Sequence, residues 1–214
     1  MDEITPKERI LKRIREALIA APMAPQGMID LESPVFAPVA DTMEVVFAEN
    51  FVRKGGRFVY CENADIALKS IQALVEENAW NGHVFCRDEA VESLLQLAGI
   101  DYGKEAVDAV VCKVGFCACR NLIANDGSLL FDTAQTGRRI FAQAETLVFV
   151  ASIDQLLPDL RTAWKLWKDQ EGRMPSSVSI WTGLSHFTDV DGTAMTGLGP
   201  KKIFLVFLDN IDLV

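Results

Sequence analysis

Apolar positions along the chain change their period several times, and each change marks an element. Ile10, Leu11, Ile14 and Leu18 fall at helical spacing, with Lys12, Arg13, Arg15 and Glu16 on the other side. Thr5-Pro6-Lys7-Glu8 opens this helix as a capping box with proline in the first helical position. Pro22, Pro25, Pro34 and Pro38, with Gly27, then erase any period and predict an extended arm. Residues 42–53 read as a helix ended by Gly55-Gly56, and 57–61 as a short strand. Residues 64–78 predict an amphipathic helix with Ile66, Ile71, Leu74 and Val75 inward, 84–86 a second strand, and 89–98 a helix ending at Gly99. Strands and helices alternating at this spacing predict a parallel sheet with helices packed on it.

The apolar runs at 109–119 and 147–151 suit strands buried on both faces. Between them, Asn125-Asp126-Gly127 separates the apolar segments 122–124 and 128–131. Asp-Gly in that setting predicts a two-residue hairpin loop, so an antiparallel pair should make the sheet mixed. Residues 154–170 predict a helix with Pro158 in its first turn and Leu157, Leu160, Trp164 and Trp167 as its core stripe. Strands at 178–181 and 203–208 complete the sheet. The expectation is an α/β fold with a mixed, mainly parallel sheet over residues 41–214, preceded by an amphipathic helix and Pro-rich arm over residues 1–40.

Composition narrows the function classes. The chain has 214 residues, half of them hydrophobic, which is enough for one full core. A net charge of −9 speaks against nucleic acid as a partner, since binding a phosphate backbone needs a positive stripe. No apolar run approaches the ~18–20 residues of a membrane span. The opening MDEITPKERI has no apolar signal region, so a cytoplasmic location is expected. The 5 cysteines, Cys61, Cys86, Cys112, Cys117 and Cys119, sit in strand-like surroundings and read as buried thiols. With only His83 and His186 as histidines, and Cys117-Ala-Cys119 in place of a CxxC pair, no zinc or iron–sulfur site is expected in this chain.

Polar chemistry concentrates in 182–202, TGLSHFTDVDGTAMTGLGPKK, which follows a strand. Ligands of open α/β sheets bind outside the carboxyl ends of strands, and glycine-rich turns let backbone amides approach an anion. Lys201 or Lys202 could add charge, and His186 beside Asp189 and Asp191 could act as an acid or base. A dinucleotide GxGxxG and a Walker lysine motif are absent. Asp189-Val190-Asp191-Gly192 lacks the third acid and terminal glutamate of a calcium loop, and Ser185-His186 lacks a nucleophile elbow.

These residues carry a family resemblance. Ile123-Ala124-Asn125-Asp126-Gly127-Ser128-Leu129 resembles the IA-(D/E)-TGT segment of the LUD domain of lactate utilisation protein C and its relatives, and Gly137-Arg138-Arg139 resembles the Gly-Arg-Arg that follows it. The stretch from Thr182 to Asp191 is similar to the family's SGPSRTADIE, and Gly199-Pro200-Lys201 to its Gly-Pro-basic group. Departures fall at Asp126 (usually Thr), Leu184 (Pro), His186 (Arg) and Leu198 (His), which implies a different or more weakly held ligand. The resemblance implies a fold akin to the ribose-5-phosphate isomerase and CoA-transferase group, with helices on both faces of the sheet. It further implies a part in oxidising L-lactate to pyruvate beside iron–sulfur partner proteins. Longer relatives carry a ferredoxin-like cysteine region that this chain lacks, so clusters would belong to partners. For the short form the resemblance carries no catalytic mechanism.

The leading expectation is a LUD-domain subunit with a small-anion site between the 126–139 and 183–201 loops. Asp126, Gly127, Ser128, Arg138, Arg139, Gly183, Ser185, Gly199 and Lys201 are the expected binding residues; Asp189, Asp191 and His186 would orient them or move protons. Two competing readings are a free-standing enzyme on a sugar phosphate or CoA thioester, and a non-catalytic assembly subunit docked through its first helix.

Overall fold

The computed structural model describes residues 6–20, 41–105, 112–132, 140–171, 177–184, 186–188, 194–197 and 199–209. The chain divides into two units, Met1–Ala37 and Pro38–Val214. In the first, α1 (Pro6–Ala20) presents Ile10, Leu11 and Ile14 to solvent.

The second unit opens with α2 (Met43–Arg53), whose Phe47, Asn50 and Phe51 turn inward. β1 (Arg57–Cys61), α3 (Ala64–Glu77), β2 (Val84–Cys86), α4 (Glu89–Leu97) and β3 (Val114–Ala118) follow. Each of these two helices starts on a side-chain cap: Asn63 Oδ1 accepts from the Ile66 amide at 3.0 Å, and Asp88 Oδ1 from the Val91 amide at 3.4 Å. In α3 the inward face uses Ala67 with Ile71, Leu74 and Val75, while Ile66, expected inside, is 39% exposed. As the third residue of the helix, Ile66 spends its amide on the Asn63 cap.

β4 (Asn121–Ile123), β5 (Ser128–Asp132), α5 (Ile140–Gln143), β6 (Thr146–Ser152), β7 (Leu156–Leu157) and α6 (Leu160–Glu171) form the middle of the chain. β8 (Val178–Trp181), a hairpin of β9 (His186–Thr188) and β10 (Ala194–Thr196), and β11 (Lys202–Leu208) complete it. The helix expected from residue 154 begins instead at Leu160. A 3-10 turn at Ile153–Gln155 and strand β7 come before it. Asp159, not an earlier residue, caps α6, accepting from the Thr162 amide at 2.7 Å. The expected stripe shifts accordingly: Ala163 and Trp167 are buried, whereas Leu160 and Trp164 are exposed.

The architecture is α/β with a mainly parallel sheet and helices on both of its faces. The strand order β1-β11-β6-β3-β2 is parallel throughout. The Asp-Gly hairpin does not join it. β4 and β5 enter a second sheet of order β7-β4-β5-β8, in which β5 pairs antiparallel with both β4 and β8. β6 is buried along its whole length, and its alternate residues serve two cores. Val148 and Val150 pack with α3 and α4; Leu147, Phe149 and Ala151 pack with α2, α5 and the second sheet. The far face of that second sheet closes on α6 through Ile123, Leu130, Ala163 and Trp167. α2 therefore packs into the core that the two sheets share, and it positions the candidate site.

Candidate ligand site

The hairpin loop is longer than the Asp-Gly signal predicts. Ile123 pairs with Ser128, leaving residues 124–127 as a four-residue loop in which Gly127 takes φ +68°. Its first half is pinned to the neighbouring strand end: the Ala124 amide donates to the Leu157 carbonyl at 2.8 Å and the Asn125 amide to that of Pro158 at 3.2 Å. Asp126 Oδ1 accepts from the Ser128 amide at 2.9 Å, closing the turn.

The loop's carbonyls face α2. Asn50, a buried amide, donates from Nδ2 to the Ala124 carbonyl at 2.9 Å and the Asn125 carbonyl at 3.1 Å. Its Oδ1 in turn accepts from the Arg53 guanidinium. Lys54 Nζ donates to the Asp126 carbonyl at 2.6 Å. Gly127 is held against the same helix: a Cβ there would lie 2.5 Å from the Phe51 amide nitrogen. Only glycine satisfies both the positive φ and that approach.

The second motif reaches the same helix end. Gly183 takes φ +116°, and a Cβ on it would lie 2.6 Å from the Lys54 carbonyl oxygen and 2.8 Å from Lys54 Cβ. Leu184 rests against Gly55. Ser128 and Thr182 share a hydroxyl hydrogen bond of 2.7 Å, so the two motif segments meet. They meet because their strands pair: Leu129 lies opposite Trp181 in the β5–β8 ladder, and Ser128 and Thr182 are the next pair along. Ser128 is fully buried, which makes it the joint between the loops. Beside that joint lies a cavity of about 300 Å³ lined by Trp181, Thr182, Gly183, Leu184, Pro200 and Ile203.

The cavity's position differs from expectation. Thr182 does follow the carboxyl end of β8. Yet Gly55, Pro200 and Ile203 stand at the amino ends of β1 and β11, so the site sits over the entering edge of the parallel sheet. The 182–202 segment is also not one loop, because β9 and β10 fold its middle into a hairpin pairing His186 with Thr196.

Of the other expected site residues, Gly199 takes φ +118° with open space where a Cβ would stand. Lys201 is exposed; its Nζ pairs with Glu145 Oε1 at 3.0 Å and its amide donates to the Glu145 carbonyl at 2.7 Å. Arg138, Arg139, Ser185, Asp189 and Asp191 lie outside the described residues, as does the side chain of His186. Asn50, Lys54 and Thr182 are the additions of the structure. Thr182 was visible in the motif, but nothing in the α2 sequence distinguishes Asn50 or Lys54 from ordinary helix-end residues.

The thiols do not supplement this chemistry. All five cysteines are buried, and burial pushes the thiols of Cys86 and Cys119 up to about 12 and that of Cys117 well above its ordinary value. Among the described residues no group of His, Cys, Asp and Glu is placed to hold a metal ion, and no helix is long and apolar enough to cross a membrane.

The sequence model of the LUD domain matches residues 45–208. No curated protein matches the chain. Among solved structures, the chain is similar to a DUF162 family protein from Deinococcus radiodurans at 14% identity and a TM-score of 0.59, covering 78% of this chain and 96% of that one. That similarity shows a shared fold. Ribose 5-phosphate isomerase A of Methanocaldococcus jannaschii is similar at 10% identity and a TM-score of 0.31, covering 72% of this chain and 97% of that one. The ribose 5-phosphate isomerase of Plasmodium falciparum is similar at 7% identity and a TM-score of 0.29, covering 76% and 80%.

Proposed function

The chain belongs to the LUD domain family, and from that premise we propose that it is a subunit of a system oxidising L-lactate to pyruvate. In this reading it holds a small carboxylate where the 126–139 and 183–201 segments adjoin. The family is associated with lactate utilisation in general. The observation that carries the finer reading is the Ser128–Thr182 joint, which brings both motifs to the end of α2 beside a cavity of about 300 Å³. Gly183 gives backbone access to that cavity. Arg138 and Arg139 are the guanidinium donors suited to a carboxylate, and Asp189, Asp191 and His186 are the groups that would orient it or take a proton. Redox clusters are assigned to iron–sulfur partner proteins, since this chain's own thiols are buried.

A thermal-shift titration with L-lactate, pyruvate, inorganic phosphate, ribose 5-phosphate and a CoA thioester tests the reading. A ligand at a hundred times its Kd stabilises the folded chain by about 2.7 kcal/mol. The expected result is a saturable rise with lactate or pyruvate that weakens in Arg138→Ala and Asp189→Ala. No shift with either acid, or shifts that ignore both substitutions, would remove the site. A response confined to ribose 5-phosphate or the thioester would move the protein to the class of free-standing enzymes.

A further inference from the structure

The geometry points to Lys54 as a further positive charge holding the anion, a role that rests on the small-carboxylate reading above. Lys54 is half-buried, and its ammonium has the Asp126 carbonyl, at 2.6 Å, as its hydrogen-bond partner. No carboxylate of the described residues pairs with it. A half-buried ammonium ordinarily finds an acid, because removing a charge from water without a counter-charge is costly. Even the exposed Lys104 and Lys201 have carboxylate partners, Glu92 and Glu145. Lys54 is thus a charge whose counter-ion the described residues do not supply.

Its surroundings favour a ligand as that counter-ion. Gly183 lines the cavity and lies directly against the Lys54 backbone and Cβ, while the Lys54 ammonium bonds the Asp126 carbonyl, so the lysine spans the place where the two motif segments adjoin. The Asp126 carbonyl fixes one of the three ammonium donors and leaves two, a preorganised arrangement for one more acceptor. Lys201, a lysine that the sequence placed in the site, is exposed and already paired, so it is the poorer candidate. Beside the guanidinium donors proposed above, an ammonium with two spare donors adds a point charge for one end of a small monocarboxylate.

The bland alternative is a clamp. Lys54 sits at the carboxyl end of α2, where a cation complements the helix dipole, and its bond to Asp126 ties helix to loop. Calorimetric titration of pyruvate, L-lactate and inorganic phosphate into the full chain separates the two roles. Lys54→Gln keeps a donor for the Asp126 carbonyl and removes the charge, and Lys54→Arg keeps the charge. If Lys54 holds the anion, Lys54→Gln weakens pyruvate or lactate binding by about tenfold or more at an unchanged melting temperature. Lys54→Arg then retains binding within a few-fold. If Lys54→Gln binds as the wild type does, or if it melts early while its folded fraction binds normally, the lysine is a clamp and the inference fails although the site stands. Should Lys54→Gln not fold, loss of binding in Lys54→Arg would likewise overturn it, and retained binding that falls with added salt would support it. If the wild type binds none of the carboxylates, the proposed site itself is gone. A response to phosphate alone would retain Lys54 as an anion holder only if Lys54→Gln abolished it.

Discussion

Gly127→Ala gives the sharpest test of how the hairpin loop is docked. The substitution adds one methyl group at φ +68°, 2.5 Å from the Phe51 amide nitrogen, 2.7 Å from the Asn50 carbonyl carbon and 2.9 Å from Phe51 Cα. All three atoms belong to helix backbone and cannot swing aside as a side-chain end would. The left-handed conformation costs an L-residue about 1–2 kcal/mol. Overpacking against a fixed neighbour adds about 1–3 kcal/mol. The stiffer unfolded chain returns about 0.4–1 kcal/mol. The net loss is about 3 kcal/mol, which in a domain of this size lowers Tm by about 6–12 °C. Gly99→Ala is the control. Its φ is +67°, nearly the same, and nothing stands within 4 Å of the new methyl. It bears the conformational cost alone, so its loss is about 1 kcal/mol. Thermal and urea unfolding of both variants isolate the steric part as their difference. If the two melt together, α2 does not press on the loop as described, and the Asn50 and Lys54 contacts lose their geometric basis.

Trp167→Ala removes a buried indole whose N–H donates to Asn121 Oδ1 at 2.6 Å, and should cost about 3–5 kcal/mol in urea unfolding; Trp164→Ala, on an exposed flank of the same helix, should cost about 1 kcal/mol or less. Asp88 is buried, and desolvation raises its carboxyl pKa. The folded chain therefore holds that proton more tightly than the unfolded chain, and the residue's contribution to stability falls as pH rises from the unfolded value of about 3.9 through the raised one. Asp88→Asn keeps an acceptor for the Val91 amide and should flatten that part of the stability–pH curve; an unchanged slope would show that Asp88 ionises freely. The cysteines should react with an aromatic disulfide reagent at pH 8 only after unfolding, because burial holds Cys86 and Cys119 near 12; prompt reaction of the native chain would contradict their burial.

Much of the fold could be read from residues whose environment is uniform along an element. The run Leu147–Ala151 is apolar at every position because β6 has a core on each face, and its length and β-branched content separate it from a helix. The hairpin was readable from Asn125-Asp126-Gly127, but its sheet was not. Leu122 and Leu129 point to one core and Ile123 and Leu130 to another, so an apolar run without alternation says only that both faces are covered. What covers them depends on distant elements, here α6 and the second sheet. The start of α6 was misread for a related reason. Leu157 fits the helical spacing of Leu160, Trp164 and Trp167, but its carbonyl accepts from the Ala124 amide in strand pairing, and that long-range bond outweighs local periodicity. In the candidate site, Gly127 and Gly183 were legible because glycine is the residue that such backbone approaches require. Asn50 and Lys54 were not, since their roles depend on a loop more than seventy positions away.

The meeting of the two motifs has a structural cause that is separate from any ligand. Ser128 opens β5 and Thr182 follows β8, so once these strands pair in the observed register the two hydroxyls must face each other. A slip of one residue would turn Ser128 to the opposite face, away from Thr182. Strand pairing thus accounts for the joint, but it does not account for α2. Nothing in the β5–β8 ladder requires the loop carbonyls of residues 124–126 to converge on Asn50 and Lys54, or Gly183 to give up a side chain where Lys54 passes. Those contacts bring a charged group and two glycines to the end of α2, and Gly183 among them lines the cavity. The functional claim rests on those contacts, and the ladder is only the frame that keeps them in register.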